Sequence, residues 1–172
     1  MTLLPETGTA LHVLDRTSTQ AASMRVRMPT EFTAFCQLHF DHYLHYAQAR
    51  LHDAGTSQMV VEHALGDLAT AWPTALRSRA TADFAWRTLS HRVTTTMKRQ
   101  PTDTGRAPDG LHQLLAPTEA DAVICHRLMS LSVPQTALLQ GVQAETITRR
   151  LRGAAASLGT ELAHLFGLRA AP

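Results

Sequence analysis

The sequence predicts an all-α protein, and three observations carry that reading. Leu and Ala dominate the composition, and both favour helix. Apolar residues recur at i, i+3 and i+4 along most of the chain after residue 29. No stretch alternates as a half-buried strand would. The only β-prone run, Thr94-Thr95-Thr96, lies inside a helical pattern. The expected layout is two small helical domains, 30–99 and 111–168. A flexible linker at 100–110 joins them, with tails at 1–29 and 169–172.

Residues 1–29 are rich in Thr, Ser, Gly and Ala without a sustained period, as in a flexible tail. Leu11, Val13 and Leu14 make one short apolar turn there, and Met24 and Met28 are alternative internal starts. From Thr30 or Glu31 a helix is expected, with Phe32, Phe35, Cys36, Leu38, Tyr43, Tyr46, Ala47 and Leu51 on its apolar side, ending near Asp53-Ala54-Gly55. Ser57 is the expected N-cap of a second helix through Val60, Val61, Ala64, Leu65, Leu68 and Trp72, stopped by Pro73. A third runs from Thr81 to Arg99 through Phe84, Trp86, Leu89, Val93 and Met97. Gln100–Gly110 holds two Pro, two Gly and two Asp, which suits a linker or exposed loop. Beyond it, Pro117 opens a helix with Ala122, Val123, Cys125 and Leu128 on its apolar side.

Leu131–Leu158 reads as a helix-turn-helix. Ser132 is the expected N-cap and Pro134 falls in the first turn, where a missing N–H costs little. Ala137, Leu138 and Leu139 give an apolar face, and Gly141 supplies the turn. A second helix from Ala144 to about Leu168 turns Ile147 and Leu151 inward. Glu145, Thr146, Thr148, Arg149, Arg150 and Arg152 remain outside. A basic, hydroxyl-bearing face after a glycine turn fits a major-groove reader. An ordinary antiparallel helix pair with solvated arginines gives much of the same pattern.

The whole-chain balance excludes other classes. The 172 residues carry 16 Lys and Arg against 14 Asp and Glu, a formal charge of +2, so any basic patch is local. No apolar run reaches membrane-spanning length and no signal-peptide core opens the chain, so a soluble cytoplasmic protein without membrane contact is expected. Cys36 and Cys125, far apart in apolar surroundings, read as free buried thiols. Enzyme signatures are missing: no Gly-rich phosphate loop, no His-Glu-x-x-His, no nucleophile elbow, and Glu62-His63 cannot converge as helix neighbours. Among the ten His, His39, His42 and His45 follow Cys36 at three-residue steps. That drift around a helix prevents all four from meeting one metal, so a polar surface face is expected, with no metal and no cofactor.

Taken together, the order of these features resembles a bacterial sigma factor of the extracytoplasmic-function group. In the C-terminal half Leu131-Ser132, Gly141, Thr146-Ile147, Arg149-Arg150 and Leu151 occupy that family's promoter-reading pattern without a gap. Phe35–Leu51 resembles the first helix of its core-binding domain. Val60-Val61-Glu62 with Ala64, Leu65 and Leu68 resembles the helix that binds the polymerase clamp. Trp86 and Arg92 keep the spacing of the helix facing the minus-ten element. The departures are equally specific. Gln58 and Met59 stand where an acidic pair is usual, His63 replaces an acid, and Ala69 an aromatic. Val93 stands for Asn, and Met97 for Asp. Ala154, Ala155 and Ala156, expected to face outward, stand where relatives are often basic.

The resemblance implies a protein that directs core RNA polymerase to promoter DNA, with an anti-sigma factor as a further partner. Val61, Glu62 and Leu65 would touch polymerase. Trp86, Arg87, Arg92, Lys98 and Arg99 would face the minus-ten element. On its spacing to Leu89 and Val93, Trp86 is equally a core residue; otherwise it would stack on an unpaired base. Two other readings stay open: a sigma-like protein that binds a regulatory protein or small ligand instead of polymerase, and a free-standing helix-turn-helix regulator, which would need a dimer interface.

Overall fold

The computed structural model describes residues 28–99 and 110–168, with the side chain of residue 161 left aside. The described residues are helical throughout and contain no strand. Among them no helix is long and apolar enough to cross a membrane. The turn expected at 11–14, most of the linker expected at 100–110 and the tail expected at 169–172 lie outside the described residues. At the end of the expected tail, Met28 packs against the core.

Helix α1 spans Thr30–Leu51 and ends where His52 turns left-handed, its N–H closing on the Gln48 carbonyl. The next residue starts the next element. Asp53 caps α2 (Ala54–Thr70) by accepting the Thr56 N–H at 2.7 Å, so Asp53 and not the expected Ser57 is the cap. Ser57 is buried one turn later, its hydroxyl donating to the Asp53 carbonyl at 2.6 Å. Pro73 does not simply end a helix. It sits in the first turn of a short α3 (Trp72–Arg77), where its missing N–H leaves no orphan partner. Helix α4 covers Thr81–Arg99 as its apolar period predicts.

Helices α5 (Gly110–Leu114) and α6 (Pro117–Val123) follow, and α6 runs into a π-helical turn at Ile124–Leu128. In that turn the Met129 N–H reaches back five residues to Ile124. The extra residue rotates Leu128 out to solvent, against the expectation that it joins the apolar side. Ser130 then takes a positive φ of 56°. Helix α7 (Val133–Gln140) opens with a reciprocal capping box. The Gln135 N–H bonds the Ser132 hydroxyl, and the Ser132 N–H bonds Gln135 Oε1 at 2.9 Å. Gly141 is left-handed, and α8 runs Ala144–Leu165, interrupted at Gly159 (φ 70°, ψ 171°).

The main apolar cluster is built around Tyr43, Tyr46, Leu51, Val61, Leu68, Trp72, Trp86, Leu89 and Val93 from α1–α4. It also takes in Ile124, Cys125, Leu131 and Leu139, so its core crosses the expected domain boundary. A second cluster joins α6 to α8 through Ala120, Val123, Ala154, Ala155 and Leu158. Ala154 and Ala155 therefore face inward, correcting their expected outward placement. They are small because α6 lies directly against them.

Two further apolar assignments reverse: Leu38 and Leu138 are 70% and 74% exposed. His39 reverses the other way. It is buried in a ladder of rings, 4.2 Å from Phe35 and 5.5 Å from Tyr43 by centroid. That ladder continues through Trp86 to Tyr46. Burial holds the His39 imidazole below the ordinary histidine range, and His42 adds to the effect. No group of metal-ligating side chains forms among the described residues. Both cysteines are free thiols, with Cys125 buried and Cys36 half-buried.

Candidate nucleic-acid interface

Two surfaces collect the arginines singled out in the sequence. The first is one face of α4. Three-to-four-residue spacing places Arg87, His91 and Arg99 on it with Thr88, Thr95 and Thr96, and Arg92 and Asp67 close its wall. These residues line a groove of about 520 Å³. Its guanidinium groups are exposed at Arg87 and Arg99 and half-exposed at Arg92, and the His91 ring is exposed beside them. Arg87 is steadied by Asp83 one turn earlier, at 2.9 Å. Arg92 pairs with Asp67 on α2, and the pair holds the Asp67 carboxyl below the usual range and raises the guanidinium. Lys98, also exposed, adds charge at the end of the same helix. Such a face offers exposed guanidinium and ammonium donors, which suits phosphate contacts.

Trp86 does not join that face. It is 5% exposed, with its ring 4.6 Å from Tyr46, so in this conformation it belongs to the core rather than to a base-stacking platform. The same period that puts Arg87 outside puts Trp86 in.

The second surface is the first half of α8. Glu145, Arg149 and Arg152 are exposed, Thr146 and Thr148 half-exposed, and Ile147 is sealed at 0%. The Thr148 hydroxyl is occupied by the Ala144 carbonyl at 3.1 Å. Arg150 differs from its neighbours. It leans back and donates to Gln140 Oε1 at 2.7 Å, and Gln140 in turn donates to the Cys125 sulfur at 3.5 Å. Partial burial lowers the Arg150 guanidinium, opposed by the nearby Asp121 and Asp83 carboxylates. Arg149 and Arg152 thus remain outward, while Arg150 ties α8 to α7.

The residues expected to meet polymerase are split by the fold. Glu62 is exposed and accepts from Gln58 at 2.9 Å, and Leu65 is half-buried. Val61 is completely buried, so it supports that helix from inside and offers no contact surface. Periodicity within α2 separates them: residues 57, 60, 61, 64 and 68 are the buried stripe.

What sequence reasoning missed is a buried polar group between the two halves. Tyr46 donates to Asp121 Oδ1 at 2.5 Å, Arg50 donates to the Tyr46 oxygen at 3.0 Å and to Thr94 at 3.1 Å, and His112 donates to Asp121 at 2.9 Å. Burial, with the Asp121 charge, pushes the Tyr46 phenol well above its ordinary range. The only hint was an arginine and an aspartate inside apolar stripes. Comparison of the chain with protein-family models and with characterised proteins gives no match.

Proposed function

We propose that this protein is a divergent sigma factor of the extracytoplasmic-function group, which directs core RNA polymerase to a small set of promoters in the cytoplasm. The observation that carries the proposal is a pair of basic, hydroxyl-bearing helix faces. One lies on α4 and one on α8, the latter behind a capped helix-turn-helix with a left-handed glycine. No bond is made or broken in this reading. Arg149 and Arg152 clamp phosphates or donate to guanine edges, and Glu145, Thr146 and Thr148 adjoin them for base contacts. Arg87, Arg92, Lys98 and Arg99 engage the minus-ten region. With a formal charge of only +2, each half binds weakly, and polymerase supplies the remainder by linked engagement.

The test is a pull-down with core polymerase followed by run-off transcription on genomic fragments. Stable binding with promoter-specific transcripts is expected. Glu62→Lys should weaken core binding without unfolding the chain, because Glu62 is exposed. Core binding equal to the parent would remove the clamp assignment.

One observation favours a second reading, a sigma-like regulatory protein that binds a protein or small ligand instead. The outer surface of α2 presents Gln58, Met59 and His63 around Glu62, all exposed, in place of an acidic patch. Absence of both core binding and transcripts would select it.

A further inference from the structure

The arginines of this protein are not equally committed. On α4, Arg87 pairs with Asp83 and Arg92 with Asp67. On α8, Arg150 is drawn back to Gln140. Two exposed guanidinium groups at the edge of the α8 face are different. Arg127 stands on the π-helical turn and Arg152 on α8, and among the described residues no carboxylate pairs with either.

Both line one pocket of about 170 Å³. Half-buried Val133 and Leu151 and buried Leu168 give it an apolar lining, and Thr148 adjoins them. Thr148, Leu151 and Arg152 are spaced so that the pocket runs along one edge of α8, and Glu145 and Arg149 do not line it. The volume is below the roughly 300–1,000 Å³ of small-molecule sites, which suits one compact group of a larger ligand. Two like charges with no counter-charge favour an anion between them, through charge-assisted hydrogen bonds to both.

Arg127 is oriented before any ligand arrives. Helix α6 ends in a π-helical turn, and such turns recur at functional sites. Beyond the break at Gly159, α8 brings back a left-handed Gly167 whose carbonyl accepts a hydrogen bond from Arg127 Nη2. Leu168 closes that turn, its N–H on the Ala163 carbonyl at 2.8 Å. A guanidinium has five N–H donors, so this bond orients the group and leaves others for a ligand. Arg152 has no hydrogen-bond partner among the described residues and is left to close from the other side.

We propose that Arg127 and Arg152 form a two-armed seat for one phosphodiester group of the DNA backbone, beside the α8 reading face. The proposal rests on the DNA-reading function above. The seat takes Arg152 for the backbone and fixes the register of α8 along the groove. Glu145 and Arg149, outside the pocket, are left for base edges. The seat itself carries affinity without sequence preference.

Fluorescence anisotropy of the full chain with two labelled duplexes of unrelated sequence, over a series of salt concentrations, tests this. Arg127→Gln and Arg152→Gln should each weaken binding about threefold or more, alike for both duplexes, since a phosphate contact carries no sequence information. Because the two arms share one phosphate, the double variant should lower the slope of log affinity against log salt by about one. Arg77→Gln removes an exposed charge from α3, outside the pocket, and should stay within about twofold of the parent. Circular dichroism reads retained helix. Arg152→Glu keeps the Gly167 bond intact in case Arg127→Gln loses its fold. It pairs with Arg127 across the pocket and should reproduce the loss of the double variant.

A parental slope in either of these, with helix content retained, would overturn the seat. A fall of about two would mean two separate phosphates and overturn the sharing. Equal weakening by Arg77→Gln would reduce the effect to net charge, and loss confined to one duplex would make the contact one to bases; either overturns the backbone assignment. Inorganic phosphate at matched ionic strength should displace the duplex no better than chloride. Preferential displacement that the double variant lacks would make the pocket a free-phosphate site instead. If Arg149→Ala weakens binding while the double variant matches the parent, DNA reading stands and the seat falls. If the parent binds neither duplex even at low salt, both fall.

Discussion

Replacing Gly141 with alanine should destabilise the protein far more than replacing Gly153, although both lie in the C-terminal helical pair. Gly141 has φ of 65°, and its Cβ would press on the backbone of Asp83 at 2.0 Å. Left-handed strain on an L-residue costs roughly 1–2 kcal/mol. The clash cannot be relieved by a side-chain rotation, so the turn must lift from α4 and expose part of Leu139, which is 4% exposed in the native state. Full exposure of such a side chain loses about 1.5–3 kcal/mol, so the two effects together come to roughly 2–4 kcal/mol. A Cβ on Gly153 would instead meet the Glu119 carboxylate oxygen at 2.2 Å, the far end of a flexible side chain. That side chain can swing aside, and alanine gains up to about 1 kcal/mol of helix propensity. Gly153→Ala should therefore be neutral or mildly stabilising. Urea denaturation followed by circular dichroism measures both. Equal midpoints for Gly141→Ala and the parent would refute the close seat of the turn on α4. A large loss in Gly153→Ala would refute the distinction between backbone and side-chain clashes.

Further outcomes follow from single contacts. Ile147→Ala should lower stability by roughly 2–5 kcal/mol through lost core packing, read by the same urea titration. Arg149→Ala and Arg152→Ala should leave stability within about 0.5 kcal/mol, since exposed arginines contribute little, and should weaken band shifts with bound DNA. Arg150→Ala should cost about 1–2 kcal/mol in the same melts, because its charge-assisted bond to Gln140 is half-buried. His39 makes stability depend on pH. Its folded-state affinity for a proton is below the unfolded value, so stability is complete above the ordinary histidine pKa of 6.5 and falls as pH drops through and below it. Urea midpoints at a series of pH values should show that slope, and His39→Phe, which keeps a ring in the ladder, should flatten it; an unchanged slope would contradict the burial argument.

The sequence by itself determined the helices and most of their limits, because those depend on local chemistry. The 3.6-residue period of α4, the Ser132 cap, Pro134 in a first turn and Gly141 at a left-handed turn need only near neighbours in the chain. The same period separated Ile147 from Arg149, and so made the exposed half of the α8 face legible. Tertiary structure decided what depends on distant partners. Asp53 displaced Ser57 as a cap because His52 ends α1 first, and the π-helical turn moved Leu128 outward. Ala154 and Ala155 turned inward because α6 lies against α8, and His39, between Phe35 and Tyr43, entered the core because that row of rings packs against Trp72 and Trp86 from other helices. Arg150, equivalent to Arg149 in composition, was drawn from the surface by Gln140. Charge and spacing along one helix cannot reveal such an interaction, since its energy arises only where a second helix removes water and supplies a partner. The seam at Tyr46, Asp121 and Gly141 is of the same kind: residues 75 positions apart acquire one role only when the chain brings them together.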